Sequence, residues 1–97
     1  MEEFMMKDLF KRRKYKITFT KSYQFVDIGV WKEVTDSHIL QVLYELQTEF
    51  DFEIISTKLR DCFHKSKIVI RCNRGDKNKI YMDFVRRMSG KITKIVI

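Results

Sequence analysis

The chain has 97 residues, a hydrophobic fraction of 44%, a charged fraction of 34% and a formal net charge of +7. This length accommodates one domain with one hydrophobic core, and the composition is that of a folded chain rather than a disordered one. No apolar run approaches the roughly 18 residues of a membrane-spanning helix, and the first residues lack the apolar segment of a secretory signal. We therefore expect a cytoplasmic protein.

The charge is unevenly distributed along the chain. Residues 1–32 hold eight Lys or Arg against four Asp or Glu, a net charge of +4. Residues 33–57 hold six acids and no Lys or Arg, whereas residues 58–97 hold twelve basic residues against three acids. A basic chain with an acidic middle is bipolar, and this polarity bears on the kind of partner it can attract.

The first fourteen residues are predicted to form a basic N-terminal extension ahead of a single α+β domain at 15–97. Residues 1–10 have the pattern of a short amphipathic helix, and residues 11–16 carry five positive charges. The basic run has three interpretations. It is a solvated segment, a set of phosphate contacts to nucleic acid, or, with the Phe and Met residues before it, a peripheral membrane contact formed by residues 1–16.

Four stretches predict β-strands. Residues 15–20 alternate apolar and polar side chains, which is typical of a half-buried strand. Residues 52–59 and 67–72 are rich in β-branched residues and flank a charged link, a pattern that predicts a hairpin. Residues 91–97 form a last β-branched run that we expect to pair within the sheet.

The stretch at 24–31 has two interpretations. It is either an additional strand, with Val26, Ile28 and Val30 on one face, or a loop interrupted by Gly29. Trp31 is the only tryptophan of the chain, and we expect it in the core or packed against a helix.

Two amphipathic helices are predicted. The first begins after Thr35, an expected N-cap, and repeats apolar residues at helical spacing from Ile39 to Phe50. The second begins after Asp76, also expected as an N-cap, and ends before Gly90. Asp83 is expected to pair with the basic residues four positions away on either side.

The resulting order, β-α-β-β-α-β, resembles a ferredoxin-like or ACT-like sandwich. It also looks like ACT-like cytosolic domains of membrane proteins, in which a basic run leads into the first strand. The resemblance implies an antiparallel sheet with two helices on one face. The other face is then polar and basic, with these expected members: Lys16, Thr18, Ile55, Thr57, Val69, Arg71 and Lys94.

No constellation of catalytic residues is visible. The three glycines are too far apart to form a phosphate-binding loop, and the Cys62-x-His64 pair has the wrong spacing for a zinc site. Cys62 and Cys72 are expected to be free thiols, because the predicted hairpin holds them too far apart to join. We predict no enzyme activity, no metal and no cofactor.

Two small modules of similar order are disfavoured. Acylphosphatase needs an arginine in a glycine-containing loop before the first helix, and the corresponding loop here offers Lys32, which lacks the bidentate fork. An RNA-recognition module needs exposed aromatic residues on its central strands, and residues 67–72 contain none.

The favoured hypothesis is a non-enzymatic regulatory or protein-interaction module. It would contact a protein partner or a second copy of itself through its sheet face or an edge strand. The alternative is a nucleic-acid-associated regulator that binds phosphates electrostatically. The candidate contacts to phosphate or to an anionic surface are Lys11, Arg12, Arg13, Lys14, Lys16, Arg71, Arg74, Lys77, Arg86 and Arg87.

Overall fold

The computed structural model describes residues 11–97, so the helix predicted at residues 1–10 lies outside the described residues. The described chain forms six strands, two α-helices and one 3₁₀ turn. In chain order these are β1 (Arg12–Lys21), β2 (Tyr23–Asp27), β3 (Val30–Glu33), α1 (Asp36–Glu49), β4 (Phe52–Lys58), β5 (Ser66–Asn73), the 3₁₀ turn (Arg74–Asp76), α2 (Lys77–Arg87) and β6 (Ile92–Val96).

The main sheet has four strands in the order β4-β5-β1-β6, and all its pairs are antiparallel. The prediction of a small α+β fold with an antiparallel sheet and two helices is therefore confirmed. The simple six-element order is not reproduced, because two extra strands stand between β1 and α1. The first strand also begins at Arg12, so residues 12–14 of the basic run lie within β1.

The extra strands resolve the ambiguity at 24–31. β2 and β3 form a separate two-stranded antiparallel sheet, so the stretch does form strand structure, as two short strands with a turn between them. The turn contains Gly29, whose φ of +72° is a backbone conformation that favours glycine. A tight turn at Gly29 lets the two halves of this short stretch pair with each other.

The hydrophobic core lies between one face of the main sheet and the two helices. On β1 this face carries Ile17 and Phe19, which are 2% and 0% exposed. The rings of Phe19 and Phe84 lie 5.8 Å apart and join the sheet to α2. Burying a side chain of this size stabilises the fold by about 1.5–3 kcal/mol. The helices add to the same core Ile39, Val42, Leu43, Leu46 and Ile80.

The two helices begin differently. The hydroxyl of Thr35 accepts a hydrogen bond from the amide of His38 at 3.2 Å, so the predicted N-cap of α1 is confirmed. Asp76 precedes α2, but its side chain makes no capping hydrogen bond. The 3₁₀ turn immediately before α2 gives Asp76 a helical backbone, whereas a capping side chain usually needs an extended one.

The ion pairs of α2 also differ from the prediction. Asp83 pairs with Arg86, three residues away, at 2.8 Å. Arg87 instead reaches across to α1, where it contacts Glu45 at 3.2 Å and Glu49 at 2.7 Å. The two glutamates therefore join the helices and are not simply solvated charges.

One ammonium group is buried at the end of the core. Lys21 is only 5% exposed, and its Nζ contacts the carboxylate of Asp36 and lies 3.9 Å from Glu33. These carboxylates belong to α1 and β3, so a single side chain connects the main sheet, the first helix and the β2–β3 hairpin.

Candidate functional site

The face of the main sheet opposite the helices is largely solvent-accessible, and we call it the open face. The strand register shows which residues of neighbouring strands lie side by side on this face. By this register its side chains are Arg12, Lys14, Lys16, Thr18 and Thr20 of β1; Lys67, Val69, Arg71 and Asn73 of β5; Glu53, Ser56 and Lys58 of β4; and Thr93 and Val96 of β6.

Two rows of the open face bring like charges together. Lys14 lies directly opposite Arg71 across the β1–β5 pair, and Lys58 lies directly opposite Lys67 across the β4–β5 pair. Like charges in directly opposed positions destabilise a sheet. On its other side Arg71 lies opposite Glu53, which relieves the first row, whereas among residues 11–97 the Lys58–Lys67 row has no such acid.

Among residues 11–97, acidic residues offset this charge at one corner of the open face. Arg12 contacts both Asp51 and Glu53, the latter at 3.1 Å, and Arg71 lies 3.6 Å from Glu53. The hydrogen bond that the Arg12 guanidinium donates to the carboxylate of Asp51 is the main reason that the pKa of Arg12 is raised. Within residues 11–97, four lysines of the open face have no acidic partner: Lys14, Lys16, Lys58 and Lys67.

The predicted phosphate contacts do not form one surface. The register places Arg12, Lys14, Lys16 and Arg71 on the open face, whereas Arg13, opposite Cys72, belongs to the helix side. Lys77 lies over the ring of Tyr15, with its Nζ 5.0 Å from the ring centroid. The other predicted contacts lie in α2, in the 3₁₀ turn or just before β1: Arg86, Arg87, Arg74 and Lys11.

Sequence reasoning missed Lys58 and Lys67. Both lie beside the β4–β5 turn, where a charged stretch looks like an ordinary solvated link. Only the strand register shows that they face each other and share a surface with Lys16. A bulge between Ile54 and Ser56 shifts this register, so alternation alone could not reveal it.

The β2–β3 hairpin exposes a cluster of aromatic side chains. Tyr23 and Trp31 stack with centroids 5.9 Å apart and planes 5° apart, and Phe25 meets Trp31 edge-on at 5.3 Å. Trp31 is 50% exposed, so the expectation of a core position was wrong. The hairpin is a separate sheet, and its aromatic rings contact one another instead of the core.

A cleft separates this hairpin from the loop between β4 and β5. The amide of Cys62 donates a hydrogen bond to Glu33 at 2.7 Å and fixes the loop against β3. Two grooves, of about 570 and 370 Å³, share Tyr23, Cys62 and Phe63 in their walls. Phe63 is 83% exposed, so its ring is available to a ligand.

The conformation of the loop that carries Phe63 is set by Asp61. This carboxylate accepts hydrogen bonds from His64 Nδ1 at 2.7 Å and from the amide of Phe63 at 3.0 Å. The hydrogen bond from His64, followed by that from the Phe63 amide, lowers the pKa of Asp61. Asp61 is therefore charged at neutral pH and already engaged within its own loop.

The smaller groove continues onto the open face. Its wall includes Thr20, Thr93 and Lys94 in addition to the shared residues. Thr20 and Thr93 are register partners on the β1–β6 pair, and Thr20 follows Lys16 and Thr18 along β1. The basic open face and the aromatic cleft are consequently parts of one surface.

The two cysteines of the chain are weakly reactive thiols. Cys62 and Cys72 are both free thiols, as predicted. Desolvation and the carboxylate of Glu33 raise the pKa of Cys62, which makes it a poor nucleophile at neutral pH. In residues 11–97 there is no group of three or more His, Cys, Asp or Glu placed to hold a metal ion.

The described helices are also too short or too polar for one of them to cross a membrane. A scan against protein-family models and searches of the curated proteins and of the solved structures find no match to this chain.

Proposed function

We propose that this chain is a small non-enzymatic module that binds nucleic acid by its phosphates on the open face of the sheet. The observation that carries this proposal is that basic residues occupy directly opposed register positions twice on this face, Lys14 with Arg71 and Lys58 with Lys67. A polyanion lying across three strands would neutralise both contacts. Such binding would be largely independent of sequence and strongly dependent on salt.

The proposed scaffold is a ferredoxin-like sandwich with the β2–β3 hairpin inserted before α1. Without the hairpin, the strands read β6-β1-β5-β4 across the sheet. Each helix then connects two parallel strands that are separated by one antiparallel strand, which is the split β-α-β arrangement. This arrangement would cover one face with helices and leave the other available for a long ligand.

The second candidate function is a protein-interaction module, for which the outer strands offer pairing edges. β6 presents Val96, which is 58% exposed, and β4 presents Ile55, which is 38% exposed. Both strands are bulged, because the register shifts between Ile54 and Ser56 and again opposite Thr18 and Thr20. Bulges discourage the addition of another strand, and two copies of the basic face would repel each other. The nucleic-acid function is therefore favoured.

The test is charge reversal on each side of the molecule. A Lys16→Glu/Lys67→Glu double variant removes two open-face lysines that have no acidic partner. Its control, Lys79→Glu/Arg86→Glu, makes the same change of charge at two exposed positions of α2 and, in addition, removes the surface ion pair between Arg86 and Asp83. Binding of a fluorescent 20-nucleotide DNA is measured by anisotropy from 25 to 200 mM salt, and circular dichroism verifies folding.

We expect the open-face variant to bind about tenfold or more weakly at low salt, while the control stays close to wild type. For the open-face variant, the slope of log K for DNA association against log salt concentration should be smaller in magnitude by about 1.4. That is the contribution of two phosphate contacts to a single strand. Equal losses in both variants would contradict the proposal. A stable dimer that ignores DNA in light scattering would also contradict it and would support the protein-interaction module.

A further inference from the structure

We propose that the cleft between the β2–β3 hairpin and the β4–β5 loop binds unpaired bases by stacking, so that the preferred ligand is single-stranded nucleic acid. This inference rests on the proposed function, because the phosphates of the same strand would lie on the open face. Proteins that bind single strands without sequence preference combine a basic surface with exposed aromatic rings. Both features occur here on adjoining residues.

Exposed aromatic rings are the first argument. Tyr23, Trp31 and Phe63 line the larger groove and are 55%, 50% and 83% exposed. The parallel stack of Tyr23 on Trp31 fixes the orientation of both rings before any ligand binds. The hairpin that carries them is held at its base by Gln24, whose amide donates to the carbonyl oxygen of Gly90 at 2.5 Å.

Charge complementarity is the second argument. The two acids that line the cleft are already engaged, Glu33 by the amide of Cys62 and by Lys21, and Asp61 by His64. Lys94 lines the smaller groove, which continues to Thr20 on the open face. Lys32 in the larger groove and Lys94 in the smaller one offset the charges of Glu33 and Asp61, so a strand whose phosphates lie along β1 would meet no excess of negative charge at the aromatic rings.

Available volume is the third argument. The grooves of about 570 and 370 Å³ meet at Tyr23 and Phe63. A duplex presents its bases already stacked and paired, so its rings are not available to Tyr23 or Phe63. An unpaired base has free π-faces and can enter between the hairpin and the loop.

The test compares ligands that share phosphates but differ in their bases. The full chain is titrated with a 12-nucleotide oligo-dT, with an abasic strand of the same length, and with a duplex. Single variants Tyr23→Ala and Phe63→Ala are compared with Tyr44→Ala, which changes an exposed tyrosine of α1. Because Trp31 is the only tryptophan, its fluorescence reports stacking directly.

We expect oligo-dT to quench Trp31 and to bind more tightly than the abasic strand. Tyr23→Ala and Phe63→Ala should each weaken oligo-dT binding by about tenfold and leave abasic binding unchanged. The Tyr44→Ala control should behave as wild type. A Phe63→Leu variant, which keeps the apolar volume without the ring, should show the same loss as Phe63→Ala.

Each contrary result separates this inference from the function on which it rests. Equal affinity for oligo-dT, abasic strand and duplex, with loss only in Lys16→Glu/Lys67→Glu, would overturn the stacking proposal and retain phosphate binding. Absence of binding to all three ligands would overturn both. Self-association that is lost in Phe63→Ala would assign the cleft to a protein partner and also overturn the stacking proposal.

Discussion

The two cysteines differ in exposure, although both have a raised pKa. Cys72 is fully buried in β5, and desolvation is the main cause of its raised pKa. Cys62 is half-buried at the cleft, where desolvation and Glu33 have the same effect. Because the thiolate is the reactive form, neither residue should react readily at neutral pH.

We therefore expect iodoacetamide to modify Cys62 but not Cys72 in the native protein. The reaction of Cys62 should be slow at pH 7 and about tenfold faster for each pH unit up to pH 8.5. Glu33→Gln should accelerate the reaction of Cys62, since it removes the negative charge that disfavours the thiolate. Mass spectrometry of labelled peptides identifies the modified residue. Labelling of Cys72 in the folded protein, or a pH-independent rate at Cys62, would contradict this account.

At the level of elements, the position of the hairpin depends on the ammonium of Lys21. A buried charge is tolerable only while its partners remain, and those partners are Asp36 on α1 and Glu33 on β3. The group is therefore a junction between three elements rather than a surface ion pair.

Removing the acids of this junction, and then the buried ammonium itself, should change the stability of the fold in opposite directions. Replacing both acids, Asp36→Asn with Glu33→Gln, should lower the free energy of unfolding by about 3 kcal/mol, because the ammonium stays buried without a carboxylate. Adding Lys21→Met to that double variant should recover most of the lost free energy of unfolding, since an apolar side chain of similar length needs no charged partner. Urea denaturation followed by circular dichroism measures both. A triple variant no more stable than the double would contradict the buried-charge explanation.

The same elements show what the sequence could predict. The α+β class, both helices and the four strands of the main sheet follow from local patterns, because Ile17 and Phe19 alternate with polar neighbours and residues 67–72 are rich in β-branched side chains. The hairpin did not follow, since the alternation around Gly29 is equally compatible with one strand or with two. The candidate site was only partly predictable. Lys14, Lys16 and Arg71 were named, but their association with Lys58 and Lys67 depends on pairing between distant strands.

For the whole molecule, the charge arrangement implies an opposition between stability and binding. Natural chains are seldom optimised for stability alone, and under the proposed function the open face would be an example. Lys58→Glu would turn a like-charge pair into an opposite-charge pair with Lys67. The substitution should raise the free energy of unfolding by about 0.2–1 kcal/mol while weakening binding to DNA.

Urea denaturation and anisotropy of the same variant test this opposition. Lys79→Glu is the control, because Lys79 is exposed on α2 and has no register partner on the sheet. It should change neither property appreciably. A Lys58→Glu variant that is less stable than wild type would mean that the two lysines do not repel each other across the strands.

The strand order also has a consequence for synthesis of the protein. β1 is made first, yet its two neighbours in the sheet, β5 and β6, are made last, and Thr18 pairs with Val96. Closing such long loops requires a large loss of chain entropy before any contact forms, which makes folding slow. During synthesis on the ribosome, β1 therefore remains unpaired, with Ile17 and Phe19 exposed, until β5 has emerged. The early chain is consequently the stage at which a chaperone would have the most apolar surface to protect.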